Sequence, residues 1–362
     1  MSIFSTARLC FGKGFRYNQV LLKIDVKEIT ARPLTKRTIK TCSRNNKKFN
    51  EPLHGSDLAR PAGIASMMRL PIATNTDGLD ACFVGVPIDH ATSNRSGTRF
   101  GPRHIRVESA IVRKYNYETR ADPFSSLQVA DIGDVKVNLF HLKKCVDDIR
   151  EQYREIIKNG CRPLTLGGDH LISYPILQAI GEKYGPVAMV HIDAHSDCAD
   201  SFGGEKLAHG TPFKRAMDEN LLDCKKVVQI GIRGSVGAGM DDYDYQLQKG
   251  FRIVHAKECW FKSMKPLMAE IRETIGDTPT YLSFDIDGLD PSFAPGTGTP
   301  EIGGLTSHQG MEIIQGCRGL NIVGADLVEV SPPYDTTGTT ALTAANLLFE
   351  MLCVLPGVKY HD

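Results

Sequence analysis

The stretch VAMVHIDAHSDCAD, residues 187–200, joins a short apolar run to a dense group of acidic and imidazole side chains. The run Val187–Ile192 has the nearly continuous apolar character of a strand that is covered on both faces. Asp193, His195 and Asp197 follow at intervals of two residues. Because successive side chains of a strand alternate between its faces, this spacing predicts that the three point in one direction. The stretch therefore predicts a buried strand that presents polar ligands at its carboxyl end.

Short apolar runs alternate with amphipathic segments along the chain from residue 80 onwards. This alternation is typical of an α/β protein with a mainly parallel sheet and helices on both faces, which is a three-layer architecture. The predicted strands are Ala81–Pro87, Leu127–Ile132, Pro163–Leu166, Val187–Ile192, Val227–Ile232, Arg252–Val254, Thr280–Phe284 and Ile322–Val330. The predicted helices are His104–Arg113, Leu142–Lys158, Leu171–Lys183, Pro212–Glu219, Lys265–Ile275, Ser307–Cys317 and Ala341–Leu352.

Two further motifs stand at the ends of predicted strands: LTLGGDH, residues 164–170, and LSFDIDGLDP, residues 282–291. In an open parallel sheet, ligands bind beyond the carboxyl ends of the strands. We therefore expect His170, Asp285 and Asp287 to meet the first acidic group along one edge of the sheet.

The combined set of four carboxylates and two imidazoles predicts a metal centre. Alone, an Asp at a strand end is usually a cap or a turn former, but carboxylates grouped without a cation repel one another and are costly to bury. Two ions that share bridging carboxylates fit this set, and oxygen-rich ligation without thiolate favours Mn(II) over structural zinc. The predicted ligands are His170, Asp193, His195, Asp197, Asp285 and Asp287. Cys198, beside them, is expected to contribute packing or support.

Composition excludes several classes of protein. The chain has 362 residues, of which 41% are hydrophobic and 23% charged, as in ordinary globular domains. No apolar run is long enough to span a membrane. The ten cysteines form no C-x-x-C motif, so we expect free thiols in a reducing compartment.

Charge divides the chain into a basic tail and an acidic body. Residues 1–50 carry twelve basic and two acidic residues, whereas the remainder has a net charge of −9. A segment rich in Arg, Lys and Ser with few acids is typical of a mitochondrial transit peptide, so we predict a matrix location. The alternative is a basic tail without a targeting role on a cytoplasmic protein. Nucleic acid is not an expected partner, because the tail lacks interleaved aromatic residues and the body is acidic.

The three motifs resemble the signatures of the ureohydrolase family, which includes arginase, agmatinase, formiminoglutamase and the guanidino-acid hydrolases. Similar blocks extend over most of residues 62–356, and the likeness is strongest to the mitochondrial agmatinase-like and guanidino-acid hydrolase proteins of animals. The resembling blocks are GIASMMRLP (63–71), FVGVPIDHATSNRSGTRFGPRHIR (83–106), APGTGTPEIGGL (294–305) and LVEVSPPYD (327–335). The resemblance implies an eight-stranded, arginase-like fold in a single catalytic domain, residues 51–362. It also implies two Mn(II) ions per subunit and a homo-oligomer of three or six chains.

The resemblance further implies a role for individual residues. One ion would be held by His170, Asp193, Asp197 and Asp285, and the other by Asp193, His195, Asp285 and Asp287, so that Asp193 and Asp285 bridge. His209 matches the family's mobile catalytic histidine, and Glu329 matches the carboxylate that holds the substrate guanidinium. Asp197 would pass a proton to the leaving amine. Asp169 and Asp290 are expected to be structural supports, and His191 to be a packing residue on the other face.

The expected reaction is manganese-dependent hydrolysis of a small linear guanidino compound to urea and a primary amine. By resemblance, the first candidate substrate is agmatine, which would give putrescine, and the alternatives are the guanidino acids 4-guanidinobutyrate and 3-guanidinopropionate. Ala199 stands where arginases have an Asn that reads the amino-acid head group, which argues against arginine. His90, Ala91 and Ser96 depart from the usual family block, and His90 could contact the substrate tail or simply belong to a variable surface loop. The alternatives from other classes are a non-catalytic relative that binds a guanidino compound and a zinc enzyme related to deacetylases.

Overall fold

The computed structural model describes residues 49–235 and 243–362. Apart from its last two residues, the predicted transit segment, residues 1–50, lies outside the described residues. In the part of the chain that is described, no helix is both long and apolar enough to cross a membrane.

An eight-stranded sheet forms the centre of the fold, and all of its neighbouring strands are parallel. The order across the sheet is β3-β1-β4-β9-β8-β5-β6-β7, and β10 pairs with β2 in a separate antiparallel ribbon. The strands are β1 Ala81–Val86, β2 Ala121–Asp122, β3 Val129–Asp134, β4 Arg162–Gly167, β5 Val187–Ile192, β6 Leu222–Ile232, β7 Arg252–His255, β8 Thr280–Asp285, β9 Ile322–Val328 and β10 Lys359–Tyr360. The predicted α/β sheet is thereby confirmed.

The helices occupy the connections between the strands and cover the sheet. They are α1 Gly101–Glu108, α2 Leu142–Ile157, α3 Ser173–Tyr184, α4 Pro212–Asp218, α5 Asp244–Lys249, α6 Ala256–Cys259, α7 Lys265–Ile275, α8 Ser307–Gly316 and α9 Thr339–Cys353. Side chains alternate between two buried apolar clusters along β1, where Phe83 belongs to one cluster and Val84 to the other. Burial on both faces explains why the central strands have nearly continuous apolar sequences.

Most predicted elements differ from the observed ones only at their ends. The bounds of β5 and α7 match the prediction, whereas α1 begins at Gly101 and ends at Glu108, earlier than predicted, with Pro102 in its first turn. The last strand was expected to reach Val330 but ends at Val328, because Glu329 adopts a left-handed φ of +64°. The short helices α5 and α6 were not predicted.

Four adjacent strands bring the polar motifs together. The order β4-β9-β8-β5 places residues 168–170, Glu329, Asp285 and the loop after Ile192 side by side at the carboxyl edge. Ligands of open parallel sheets bind at this edge.

Candidate metal centre and active site

The six predicted metal ligands lie in one group at the carboxyl edge of the sheet. His170 Nδ1 is 2.9 Å from a carboxylate oxygen of Asp197 and 3.2 Å from oxygens of Asp193 and Asp285. His195 Nδ1 is 3.3 Å from Asp287 Oδ2 and 3.5 Å from Asp193 Oδ1. All are buried except His195, whose side chain is 34% exposed. Two halves of one cluster therefore share Asp193.

Turns, rather than strand alternation, produce this convergence. The alternation predicted for Asp193, His195 and Asp197 is wrong, because β5 ends at Ile192 and Asp197 has a left-handed φ of +50°. Asp193 Oδ1 accepts a hydrogen bond of 2.6 Å from the His195 main-chain N–H and so bends its own loop. Short polar side chains favour such local turns. Asp285 Oδ1 accepts in the same way from the N–H two residues further along, at 2.8 Å.

The hydrogen bonds around His170 indicate that the cluster accommodates cations. Ser283 Oγ donates to Asp326 Oδ1 at 2.7 Å, so it accepts from His170 Nε2, which lies 2.9 Å away. With its proton on Nε2, the ring presents a lone pair at Nδ1. That lone pair faces three carboxylates, and Nδ1 is buried without a hydrogen-bond partner among the described residues. A positive charge at this point, either a proton on Nδ1 or a metal ion, relieves the repulsion between the lone pair and the carboxylates, and fixing a ligand tautomer in this way is typical of metal sites.

Electrostatics support the same interpretation. Burial lowers the pKa of His170, but its three carboxylate neighbours more than offset burial and raise that pKa well above its ordinary value. Burial, followed by the charges of Asp287 and Asp193, raises the pKa of Asp285. The described residues also include groups of His and Asp close enough to hold an ion. The cluster therefore has a high affinity for positive charge.

His191 contacts the cluster, which corrects its predicted role in packing. Gln229 Nε2 donates to His191 Nδ1 at 3.0 Å, so His191 Nε2 carries the proton and donates to Asp193 Oδ2 at 2.8 Å. Gln229 also donates to the Ser196 carbonyl at 2.7 Å. This pair of side chains orients the carboxylate that both halves of the cluster share.

His209 and Glu329 lie beside the cluster and contact each other. His209 Nδ1 is 3.2 Å from Glu329 Oε1, which also accepts from the main-chain N–H of His170 at 2.9 Å. Glu329 Oε2 is buried and has no hydrogen-bond partner among the described residues. Burial lowers the pKa of His209, and Glu329 more than offsets it and raises that pKa to about 9. A buried carboxylate oxygen without a donor is costly and points to a ligand that donates.

A cavity of about 370 Å³ lies beside the site and is lined by His209 and by three of the predicted ligands, His195, Asp197 and Asp285. This volume lies within the ordinary range of small-molecule sites. Its lining includes Ser93, His195, Asp197, Cys198, Ala199, Phe202, His209, Arg233, Asp285, Thr299 and Glu301. Burial raises the pKa of the Cys198 thiol, which contacts the Ser196 carbonyl at 3.1 Å. His90 is not part of this lining, and its Nε2 lies 2.7 Å from the Leu139 carbonyl instead.

Comparison with known proteins identifies the family. The model of the arginase family matches residues 79–353. The chain belongs to the arginase family. It is 61% identical over 331 residues to the mitochondrial agmatinase of Gallus gallus, covering 91% of this chain and 97% of that protein. It is 60% identical over 309 residues to the mitochondrial guanidino acid hydrolase of Homo sapiens, covering 85% and 88%.

Solved structures confirm the arginase-like fold of this arginase-family protein. A hypothetical agmatinase from Burkholderia thailandensis superposes with a TM-score of 0.76 at 41% identity, covering 82% of this chain and 91% of that chain.

Two acidic residues of the motifs act as supports in this arginase-family protein, in agreement with expectation. Asp169 accepts from the main-chain N–H groups of Ala91 and Leu171 at 3.0 and 3.2 Å. Asp290 accepts from the N–H groups of residues 303 and 304 at 2.7 and 3.1 Å. Each carboxylate thus joins a loop of the cavity to the sheet edge.

Arg233 was not singled out in the sequence, yet it connects the two loops that carry Asp193 and Asp287. The five N–H groups of its side chain contact six main-chain carbonyls at 2.7–3.2 Å, those of residues 231, 287–289 and 301–302, so one N–H is shared between two acceptors. Its own N–H donates to the Ala194 carbonyl at 2.9 Å. No local pattern distinguishes it from a surface arginine, because all of its side-chain partners are main-chain atoms.

Proposed function

We propose that this protein hydrolyses a linear guanidino compound to urea and a primary amine, with agmatine as the first candidate and putrescine as its product. The observation that carries this proposal is the buried, unpaired Oε2 of Glu329 next to the His and Asp cluster. A guanidinium donates in a planar fork that matches a carboxylate. The avian relative that carries the agmatinase name supports agmatine.

We further propose that the cluster holds two Mn(II) ions. The donor set and the lone pair on His170 Nδ1 fit this group, as argued above. The ligands would be His170, Asp193, His195, Asp197, Asp285 and Asp287. Such a centre lowers the pKa of coordinated water from 15.7 to about 7 and so supplies a nucleophile at neutral pH.

Glu329 binds and orients the substrate. Its Oε1 is held by two donors, from His170 and His209, so Oε2 is aimed at a fixed point. A guanidinium bound there has its carbon held in one place relative to the cluster. Positioning of this kind contributes several kcal/mol to catalysis.

Asp197 and His209 handle protons. Asp197 lies at the cavity wall and would pass a proton to the leaving amine. His209 lines the same cavity and would exchange protons with solvent, the role of a general acid or base.

A guanidino acid is the second candidate substrate, either 4-guanidinobutyrate or 3-guanidinopropionate. The human relative named guanidino acid hydrolase supports it. The carboxylate of Glu301 lines the same cavity and favours a cationic tail such as that of agmatine. Activity towards each substrate decides between the two.

We also propose a mitochondrial matrix location, with residues 1–50 as the transit segment and residues 51–362 as a single catalytic domain. The basic composition of the tail and the mitochondrial names of both relatives support this. A homo-oligomer of three or six chains is proposed from the family resemblance.

The test is urea release by the manganese-loaded protein with agmatine, arginine, 4-guanidinobutyrate and 3-guanidinopropionate. Asp285→Ala serves as the inactive control, since it removes a proposed bridging ligand. We expect urea from at least one of the three non-arginine compounds. No urea above this control from any compound, with two ions bound per chain, would instead favour a non-catalytic guanidino-binding protein.

A further inference from the structure

Ser93, in the loop that follows β1, holds the ring of His209 from the side opposite Glu329. Its Oγ is 2.7 Å from His209 Nε2, and its main-chain N–H donates to the same nitrogen at 3.2 Å. The residue is exposed and lines the cavity. Ser93 thus stands between a buried imidazole and solvent.

The two contacts from Ser93 have different consequences for the protonation of His209. A main-chain N–H can only donate, so when the ring is neutral it favours the tautomer with a lone pair on Nε2 and the proton on Nδ1, facing Glu329. The hydroxyl can donate to a neutral ring or accept from a protonated one. It therefore keeps a hydrogen bond in both protonation states, which a proton relay requires.

The loop that carries Ser93 is fixed on both sides. The side chain of Asn94 donates to the Gly298 carbonyl at 2.9 Å, and Asp89 accepts from the Gly97 N–H at 2.9 Å. The His209 N–H donates to the Ala91 carbonyl at 3.1 Å. The position of the Ser93 main chain relative to His209 is therefore fixed by these contacts.

We propose that Ser93 is a positioning residue that fixes the tautomer of His209 and carries its proton to and from solvent. This rests on the proposed function, in which His209 handles protons. In the outward direction, the proton on Nε2 passes to Oγ while the hydroxyl proton of Oγ passes to water. One N–H bond and the original O–H bond of the serine break, two O–H bonds form, one on Oγ and one on water, and the serine begins and ends neutral.

The first test compares Ser93→Ala with wild type in the manganese-loaded enzyme. We expect kcat to fall about tenfold, a part of the 10²–10⁴-fold that general acid–base catalysis supplies, because water partly replaces the hydroxyl. KM is expected to stay within about twofold, since Ser93 is not proposed to contact the guanidinium. Raising the concentration of imidazole buffer should restore kcat, because a small base can exchange the proton directly. Thr92→Val is the control, because it also removes a hydroxyl from this loop while keeping the shape of the side chain. It should retain wild-type kcat.

A matched pair covers the case in which the Ala variant does not fold. Ser93→Thr keeps the hydroxyl and Ser93→Val replaces it by a methyl group at nearly equal volume. We expect the Thr variant to retain most of the wild-type kcat. The Val variant should have a lowered kcat that imidazole buffer restores.

The outcomes separate this inference from the proposed function. No urea from wild type with any guanidino compound overturns both. Wild-type kcat in both the Ala and the Val variants, with normal urea release, overturns only the role of Ser93. A raised KM with unchanged kcat would assign Ser93 to substrate binding. A lowered kcat that imidazole buffer does not restore would exclude the relay. Either result overturns the inference.

Discussion

Replacing Glu329 with Gln removes one charge and leaves most of the local hydrogen bonding in place. Both groups on Oε1, the main-chain N–H of His170 and the Nδ1 of His209, act as donors. The carbonyl oxygen of the Gln amide must therefore occupy the Oε1 position. Its NH₂ group then takes the place of Oε2, which has no partner among the described residues. A donor would face the donors of the guanidinium, so the contact with substrate is lost.

The size of the effect follows from one hydrogen bond to a charged group. Such a bond contributes about 1.5–3 kcal/mol. Since about 1.4 kcal/mol corresponds to a factor of ten, kcat/KM should fall by about 10- to 150-fold. The two hydrogen bonds on Oε1 survive the substitution, so stability should change little above about pH 9, where His209 is neutral in both proteins, and should fall at neutral pH, where the stabilisation of protonated His209 by Glu329 is lost.

Initial rates of urea release with the preferred substrate measure kcat/KM for wild type and Glu329→Gln. Metal content and the thermal midpoint are measured on the same samples, so that loss of ions or of fold is recognised. Glu329→Asp is the matched variant, which keeps the charge but withdraws it by one methylene. A Gln variant within about threefold of wild type, with unchanged metal content, would refute the assignment of Glu329 to the guanidinium.

Two further substitutions test the supports of the site. Arg233→Lys replaces the five N–H donors of the guanidinium by at most three, so the free energy of unfolding should fall by about 2 kcal/mol, at about 1 kcal/mol per lost bond; an unchanged midpoint in chemical denaturation would contradict this. Glu329 raises the pKa of His209 to about 9, from an ordinary value of about 6.5, so the folded state binds this proton more tightly than the unfolded state. That stabilisation is complete below about pH 6.5 and is lost as the pH rises through 9. His209→Gln should therefore flatten the fall in thermal midpoint between pH 6.5 and 9.5, and parallel curves for the two proteins would count against the raised pKa.

The predicted elements were most accurate where local pattern and burial agree. Strand β5 matches its predicted bounds because every residue in it is buried, so its apolar run coincides with its hydrogen-bonded length. The strand pattern of β9 predicted an end at Val330, but the left-handed backbone of Glu329 ends the strand at Val328. Apolar periodicity carries no information about a change of φ, which depends on the contacts that hold the turn.

The predicted ligands were found together, but not for the predicted reason. Asp193 and Asp285 bend the chain through hydrogen bonds to main-chain N–H groups two residues further along. Short-range spacing of i and i+2 is compatible with both a strand and such a turn, so the sequence predicted the grouping while misassigning the local structure. His191 shows the same limit. Strand alternation placed its side chain on the opposite face, but the structure has it in contact with Asp193.

The amino-acid sequence by itself determined the class of fold, the six candidate ligands and the family, because these depend on residue types and spacings within short segments. Only the tertiary structure decided which groups meet across the sheet edge. The contacts between Ser93 and His209 and between Ser283 and Asp326 join segments 116 and 43 residues apart. They exist because the strand order brings distant loops side by side, and no local pattern contains that order. The lone pair assigned to His170 Nδ1 follows from the contact of Ser283 with Asp326, and the proposed metal and guanidinium sites rest on it and on the unpaired oxygen of Glu329.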